Sequence, residues 1–285
     1  MFSTFYFIWV ILFISQIYFI KKYFKKCDTC QIIHRSDNFL IINKQADIKI
    51  NSNNKNEETV QTFLRNTCPE LTNQKLFHEF YFPHRLDYST SGILCIPKTR
   101  EVCKIVSAAF SARTTKKYYV ALVRGVLSSN FIDVNISVGD DLREPQIQKM
   151  CTSSEKSFCK NPRSARTIVM ALEQGIYNNY PATKILCRPI TGRRHQIRVH
   201  CTFLGHTIIG DYTYSNRKDN KTPRMYLHAI NLYFRLVLPN KLEDINVFTD
   251  DPFTHIKGWK KLKLFQSLSS GYIEIDRYSN SLNCL

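Results

Sequence analysis

Three short segments of this chain carry side chains that core packing does not require. In His84-Arg85-Leu86-Asp87-Tyr88-Ser89-Thr90-Ser91-Gly92 a carboxylate stands among hydroxyls just before an apolar, strand-like run, and the edges of such elements are where active-site groups commonly lie. An extended backbone there sends Arg85 and Asp87 to one face and Leu86 to the other. Lys116-Lys117-Tyr118-Tyr119-Val120-Ala121 sets two lysines ahead of two aromatics; alternation turns one tyrosine inward and leaves the other as a stacking surface. Thr191-Gly192-Arg193-Arg194-His195-Gln196-Ile197-Arg198-Val199-His200 gathers three arginines and two histidines at a predicted helix entrance, which is anion-binding chemistry. Each segment has a plain structural alternative: an aspartate capping a turn, a tyrosine pair in the core, an Arg-His run on a solvated helix face. Their joint presence in one basic chain favours a site.

Lysine plus arginine outnumber aspartate plus glutamate by 40 to 23 in 285 residues, a formal charge of +17. Such an excess favours a polyanionic partner. With 9 glycines and no G-x-G-x-x-G or Walker-type run, dinucleotide and ATP chemistry lose support. The ten cysteines are scattered, and Cys95 and Cys187 sit in apolar runs where a free thiol behaves as a small hydrophobe, as in a reducing compartment. Cys27 and Cys30 have C-x-x-C spacing, but no second pair stands where a zinc site would need it, so no metal is assigned.

The elements that must position these residues can be read only coarsely. Residues 5–20 are almost wholly apolar and are followed by Lys21, Lys22, Lys25 and Lys26; this is near the lower limit for a membrane span. The lysines follow the apolar stretch, unlike a cleaved signal, so the expectation is a membrane anchor over residues 1–20 with the remainder facing the cytosol. Without an anchor the expectation is a cytoplasmic protein. Residues 21–35 read as a basic linker and 36–253 as one catalytic domain. Within it, residues 38–44 form an opening strand and 59–66 a weak helix ended by Cys68-Pro69. Residues 92–97, 101–112 and 117–123 read as strand, helix, strand. A polar excursion over 139–164 precedes strands at 167–172 and 184–189, a helix at 194–204 and a long strand at 227–238. The tail, 254–285, has no clear pattern. Irregular alternation with hairpin-like neighbours predicts an α+β fold with a mostly antiparallel mixed sheet flanked by helices.

Three stretches, HRLDYSTSG, KKYYVALVRG and RPITGRRHQIRVHCTFLGHTIIGD, resemble the signature segments of the RluA-type pseudouridine synthases, in the same order, within a likeness running from about Ser36 to Phe253. Where many members have Lys-Pro-x-Gly after the first strand, Lys44 is followed here by Gln45-Ala46-Asp47. The resemblance implies a central RNA-binding cleft, isomerisation of chosen uridines in RNA (rRNA, tRNA or mRNA), no cofactor, and a monomer. It implies that Asp87 is the nucleophilic or proton-transferring aspartate, that Arg198 pairs with it, that Tyr119 lies on the uracil and takes the proton from C5, and that Arg85 fills the gap left by the extruded nucleotide. Arg193, Arg194 and His195 are expected as phosphate ligands, and Lys116 and Lys117 as further RNA contacts. A catalytically silent RNA-binding module of the same fold is the competing reading, against which Asp87, Tyr119 and Arg198 stand together. A basic protein addressed to anionic lipid is a third, and leaves all three segments unexplained.

Overall fold

In a computed structural model, which describes residues 29–54, 56–238 and 241–282, the strand-forming run after Ser36 becomes β2 (Phe39–Lys44). It pairs antiparallel with β3 (Ser91–Pro97) on one side and with β1 (Cys30–Arg35) on the other. Residues 30–35, expected as linker, are thus part of the sheet: Cys30 is buried and each strand residue has a partner in β2 apart from one bulge. The expected anchor over residues 5–20, and Cys27, lie outside the described residues. Among the described residues no helix is long and apolar enough to cross a membrane.

Thirteen strands and four helices are found among the described residues. Ten strands make one sheet, whose main path runs β1, β2, β3, β11 (Leu227–Leu238), β4 (Lys116–Arg124), β10 (Tyr180–Pro189), β9 (Arg166–Tyr177) and β13 (Trp259–Leu264). β12 (Lys241–Phe248) adds to β11, and β5 (Phe131–Asn135) adds to β9. Only β3 with β11 is parallel, so the expected α+β, mostly antiparallel sheet is what forms. That crossing requires Gly92: its φ is +115°, and a Cβ would overlap the Ala229 carbonyl of β11. The glycine that ends the Asp87 segment therefore lets two central strands meet.

Strand alternation puts helices on both faces. Leu40, Ile42, Leu94 and Ile96 face Val60, Phe63 and Leu64 of α1 (Val60–Thr67), while Phe39, Ile41, Ile93 and Cys95 face Val102 and Val106 of α2 (Arg100–Ser111). Thr59 caps α1, its hydroxyl accepting from the Thr62 amide, and the helix stops before Cys68-Pro69 because proline supplies no amide to continue it. Further along, Ala121, Val123 and Cys187 pack against Ile197 and Cys201 of α3 (Gln196–Phe203). Tyr118, Val120 and Leu122 lie in the cluster on the other side.

Two regions differ from expectation. The 139–164 excursion is not featureless: β6 (Val138–Asp141), β7 (Met150–Thr152) and β8 (Cys159–Arg163) form a three-stranded sheet in the order β7-β6-β8. Val138 and Met150 bury against Val199 of α3 and Tyr214. Too few apolar residues per strand made it invisible to periodicity. The tail supplies β13 and α4 (Leu268–Leu282); Ile275 of α4 is fully buried beside Met170 and Leu186. At Asp47, in the segment that departs from Lys-Pro-x-Gly, φ is +59°, a left-handed conformation that aspartate tolerates better than most residues.

Because α4 completes the core, Ile275→Ala should destabilise the protein by about 2–5 kcal/mol, the cost of such a buried truncation, measured as a shift in urea unfolding. A change under about 0.5 kcal/mol would mean that α4 is not docked.

Candidate active site

Residues 83–90 run as a loop into β3 and place Asp87 at one wall of a cavity of about 440 Å³, within the roughly 300–1,000 Å³ typical of ligand sites. Leu86 is buried while Arg85 is exposed and Asp87 half-buried, the alternation expected of an extended segment. Two contacts hold this loop. Lys44, fully buried at the end of β2, donates to the carbonyls of Gln45 (2.8 Å), Ile48 (2.9 Å) and Tyr88 (3.0 Å), so β2 is tied to the residue after Asp87. Burial pulls the Lys44 amine down to about 8. His84 accepts the Cys95 amide at 2.9 Å and stacks on Phe110; burial and the nearby Lys117 charge hold it down to about 3, so its ring is neutral.

The opposite wall is the entrance of α3. His195 occupies the left-handed region at φ 54° and turns the chain into the helix, which brings Arg198 inward. Arg198 is 7% exposed. Its Nη1 lies 3.3 Å from Asp87 Oδ2, so the expected pair is formed. Its fork, however, engages Asp211 instead: Nε to Oδ2 at 2.7 Å and Nη2 to Oδ1 at 2.8 Å. Burial works against the Arg198 charge, but the hydrogen bonds and charge of Asp211, with Asp87 after them, outweigh it and raise the group above its ordinary value. A permanently charged guanidinium is thus anchored by one buried carboxylate and offers its remaining edge to another.

Tyr214 backs this pair. Its ring lies 4.9 Å from the Arg198 guanidinium carbon, its amide donates to Asp211 Oδ1 at 3.2 Å, and its hydroxyl accepts the Met150 amide from β7 at 3.0 Å. The hydroxyl proton is then free to go to His195 Nδ1, 3.0 Å away. That tautomer leaves Nε2–H facing Asp87 at 3.8 Å, too long for a direct hydrogen bond. Burial and the Arg198 charge, opposed by Asp87, pull His195 down to about 4. The imidazole is neutral near pH 7, which argues against a role as a cationic phosphate ligand.

The floor comes from β4. Tyr118 packs into the core and Tyr119 lines the cavity, a choice that alternation alone left open. Burial and then the Asp87 charge push the Tyr119 phenol well above its ordinary range; it stays protonated. Lys117 also lines the cavity, 5.4 Å over the Phe110 ring, with burial lowering its amine to about 8. Lys116, one residue earlier on the same strand, points the other way, pairs with Asp276 of α4 at 2.7 Å and lies over Tyr233. It does not face the cavity. Arg193 lines the rim and donates to the Ser164 carbonyl at 3.0 Å, whereas Arg194 turns outward to Gln148 of the excursion.

Sequence reasoning missed Lys44, Asp211 and Tyr214 as parts of this site. Asp211 ends the third signature segment, so its motif was visible. Nothing local showed that it, rather than Asp87, takes the arginine fork.

A mixed sheet thus sets an aspartate loop and a strand tyrosine on one cavity, with a helix arginine behind the aspartate, and the comparisons with known proteins give this arrangement its class. Residues 38–203 match the RNA pseudouridylate synthase family, and the chain belongs to it. It is 40% identical over 227 residues to RNA pseudouridylate synthase domain-containing protein 1 of Danio rerio, covering 79% of this chain and 76% of that protein. With the human protein of the same name it shares 36% over 246 residues, covering 85% and 77%. Dual-specificity RNA pseudouridine synthase RluA of Pasteurella multocida is 32% identical over 72% of this chain and 86% of its own length. The solved structure of Human RNA Pseudouridylate Synthase Domain Containing 1 superposes with a TM-score of 0.75 at 32% identity, covering 88% of this chain and 96% of that one.

Two measurements check this geometry. Asp211→Ala leaves a buried guanidinium without its main partner and should cost about 3–5 kcal/mol of stability, read from urea unfolding; a loss below about 1 kcal/mol would show that Asp211 does not anchor Arg198. The second concerns pH. His195, neutral down to about 4 in the fold but with an ordinary value of 6.5 when unfolded, takes up its proton first in the unfolded chain. Its linkage therefore removes stability as pH falls from about 6.5 to about 4. His195→Gln should flatten the decline of the unfolding midpoint over that window, and an unchanged slope would contradict a buried neutral imidazole.

Proposed function

We propose that this protein isomerises uridine to pseudouridine within RNA, with Asp87 as the essential group. The observation that carries the reading is the Asp87 to Arg198 contact at 3.3 Å in a cavity floored by Tyr119. A carboxylate held in place by a guanidinium is a group suited either to attack on the ribose or to removal of a ribose proton.

The reaction breaks the bond from C1′ to N1, turns the detached base and forms a bond from C1′ to C5; C5 loses a proton and N1 gains one. No electrons are exchanged with an outside partner. For the base to reach Asp87 it must leave its stack, at a cost of a few kcal/mol. Stacking on the Tyr119 ring offsets about 1–3 kcal/mol of that, and exposed Arg85 at the cavity mouth is placed to occupy the vacated space. Because the Tyr119 phenol is held protonated, it can accept the C5 proton only while passing its own proton on. His195 supplies a neutral polar wall. The cations lining the cavity, Arg85, Arg113, Lys117 and Arg193, face a single lining carboxylate that is already paired, an electrostatic balance suited to a polyanion.

Asp87→Asn tests the proposal. Pseudouridine mapping on cellular RNA incubated with purified protein should show sites made by the wild type and none by the variant, with RNA affinity largely kept. Equal product from both would remove Asp87 from catalysis, and RNA binding by the wild type with no pseudouridine at any site would leave a binding module.

A further inference from the structure

Two arginines from separate segments, Arg113 and Arg193, line the cavity, and a third, Arg163, precedes the residue to which Arg193 is bonded. Arg113 follows the C-terminus of α2 in the left-handed region at φ 60°, is exposed, and lines the cavity together with Arg193. Arg163 is the last residue of β8, where its backbone pairs with Val138. Arg193 is fastened to the next residue of that segment through the Ser164 carbonyl, so the excursion and the α3 entrance meet at this point. Arg193 feels both of the others: burial first, then the charges of Arg163 and Arg113, pull it below its ordinary value. Among the described residues neither Arg113 nor Arg163 has a carboxylate partner, although arginines elsewhere, such as Arg124 with Asp219 and Arg166 with Asp133, are paired with acids. Like charges brought together without acids repel, and the arrangement is relieved by an anion that several forks can share.

We propose that Arg113, Arg163 and Arg193 form a binding site for a backbone phosphate of the RNA, next to the nucleotide that enters the cavity, with the 138–163 excursion as its outer wall. The inference rests on the RNA-substrate reading above and adds a function for the excursion beyond its packing against α3 and its hydrogen bonds to Tyr214 and Arg194. Arginine suits the role because its planar fork matches two phosphate oxygens at once. A contact of this kind fixes the register of the strand and carries no base preference. It would therefore set which nucleotide stands opposite Asp87 by distance along the backbone.

The test is fluorescence anisotropy with a labelled RNA hairpin carrying uridines in its loop, measured from 50 to 300 mM KCl. The double variant Arg113→Gln with Arg163→Gln should reduce the slope of log affinity against log salt by about 1, the share of one phosphate. At 0.15 M salt its affinity should fall about four- to sixfold, as one phosphate's counterion release gives. Arg113→Lys with Arg163→Lys keeps the charges without the forks and should restore most of the slope. Arg235→Gln, an exposed β11 arginine paired with Asp244, removes a charge elsewhere and should leave the slope unchanged. An unchanged slope in the Gln pair, or an equal loss in the Arg235 control, would overturn the site. So would loss of binding to phosphatidylserine vesicles with RNA affinity kept, since that assigns the cluster to a membrane surface. Because these readouts need no turnover, the phosphate site can hold even if the wild type makes no pseudouridine, and can fail while it does.

Discussion

The site depends on where one buried guanidinium can put its hydrogen bonds. Arg198 lies almost out of solvent, and a charge in that position must be paired or it destabilises the fold. Asp211 meets the requirement with two short bonds, which fixes the plane of the guanidinium, and the remaining Nη1 edge then faces Asp87. Division of labour between two acids leaves Asp87 in contact with a single guanidinium nitrogen, with oxygen lone pairs open toward the cavity.

The rest of the fold can be understood as support for that placement. Gly92 admits β11 beside β3, Lys44 ties the end of β2 to the residue after Asp87, and the left-handed turn at His195 starts α3 so that Arg198 points inward. Tyr214 joins these parts to the excursion, since its hydroxyl takes the Met150 amide while its ring covers Arg198. A polar insertion with a small core of its own is thereby coupled to the catalytic pair through one phenol. Neutral His195 and His84 add no positive charge to the cavity wall, so Arg198 is the permanent cation in contact with Asp87, while Arg85, Arg113 and Arg193 stand elsewhere on the lining.

Much of this was legible in the order of residues. Alternation through Arg85-Leu86-Asp87 and through Lys116-Lys117-Tyr118-Tyr119 is a property of extended backbone, and the opposite facing of Leu86 and Asp87 and of Tyr118 and Tyr119 follows from it. The same rule, applied to Lys116, would have turned it away from the cavity; grouping it with Lys117 as an RNA contact followed charge and ignored period. β1, the excursion sheet and the tail were not legible. Their strands are short or polar, and their burial comes from partners distant in the chain: β2 for Cys30, α3 for Val138 and Met150, β9 and β10 for Ile275.

By itself the sequence determined the motifs, the basic balance, the mostly antiparallel α+β class and the opposite facing of Leu86 and Asp87 and of the two tyrosines, because each is set by residue type and local period. Only the tertiary structure decided which acid holds the Arg198 fork, that His195 is neutral, that Lys116 pairs with Asp276 of α4 and that Arg113 and Arg193, from separate segments, line one cavity. Those outcomes are set by distance and burial between residues far apart in the chain, quantities that local pattern does not contain.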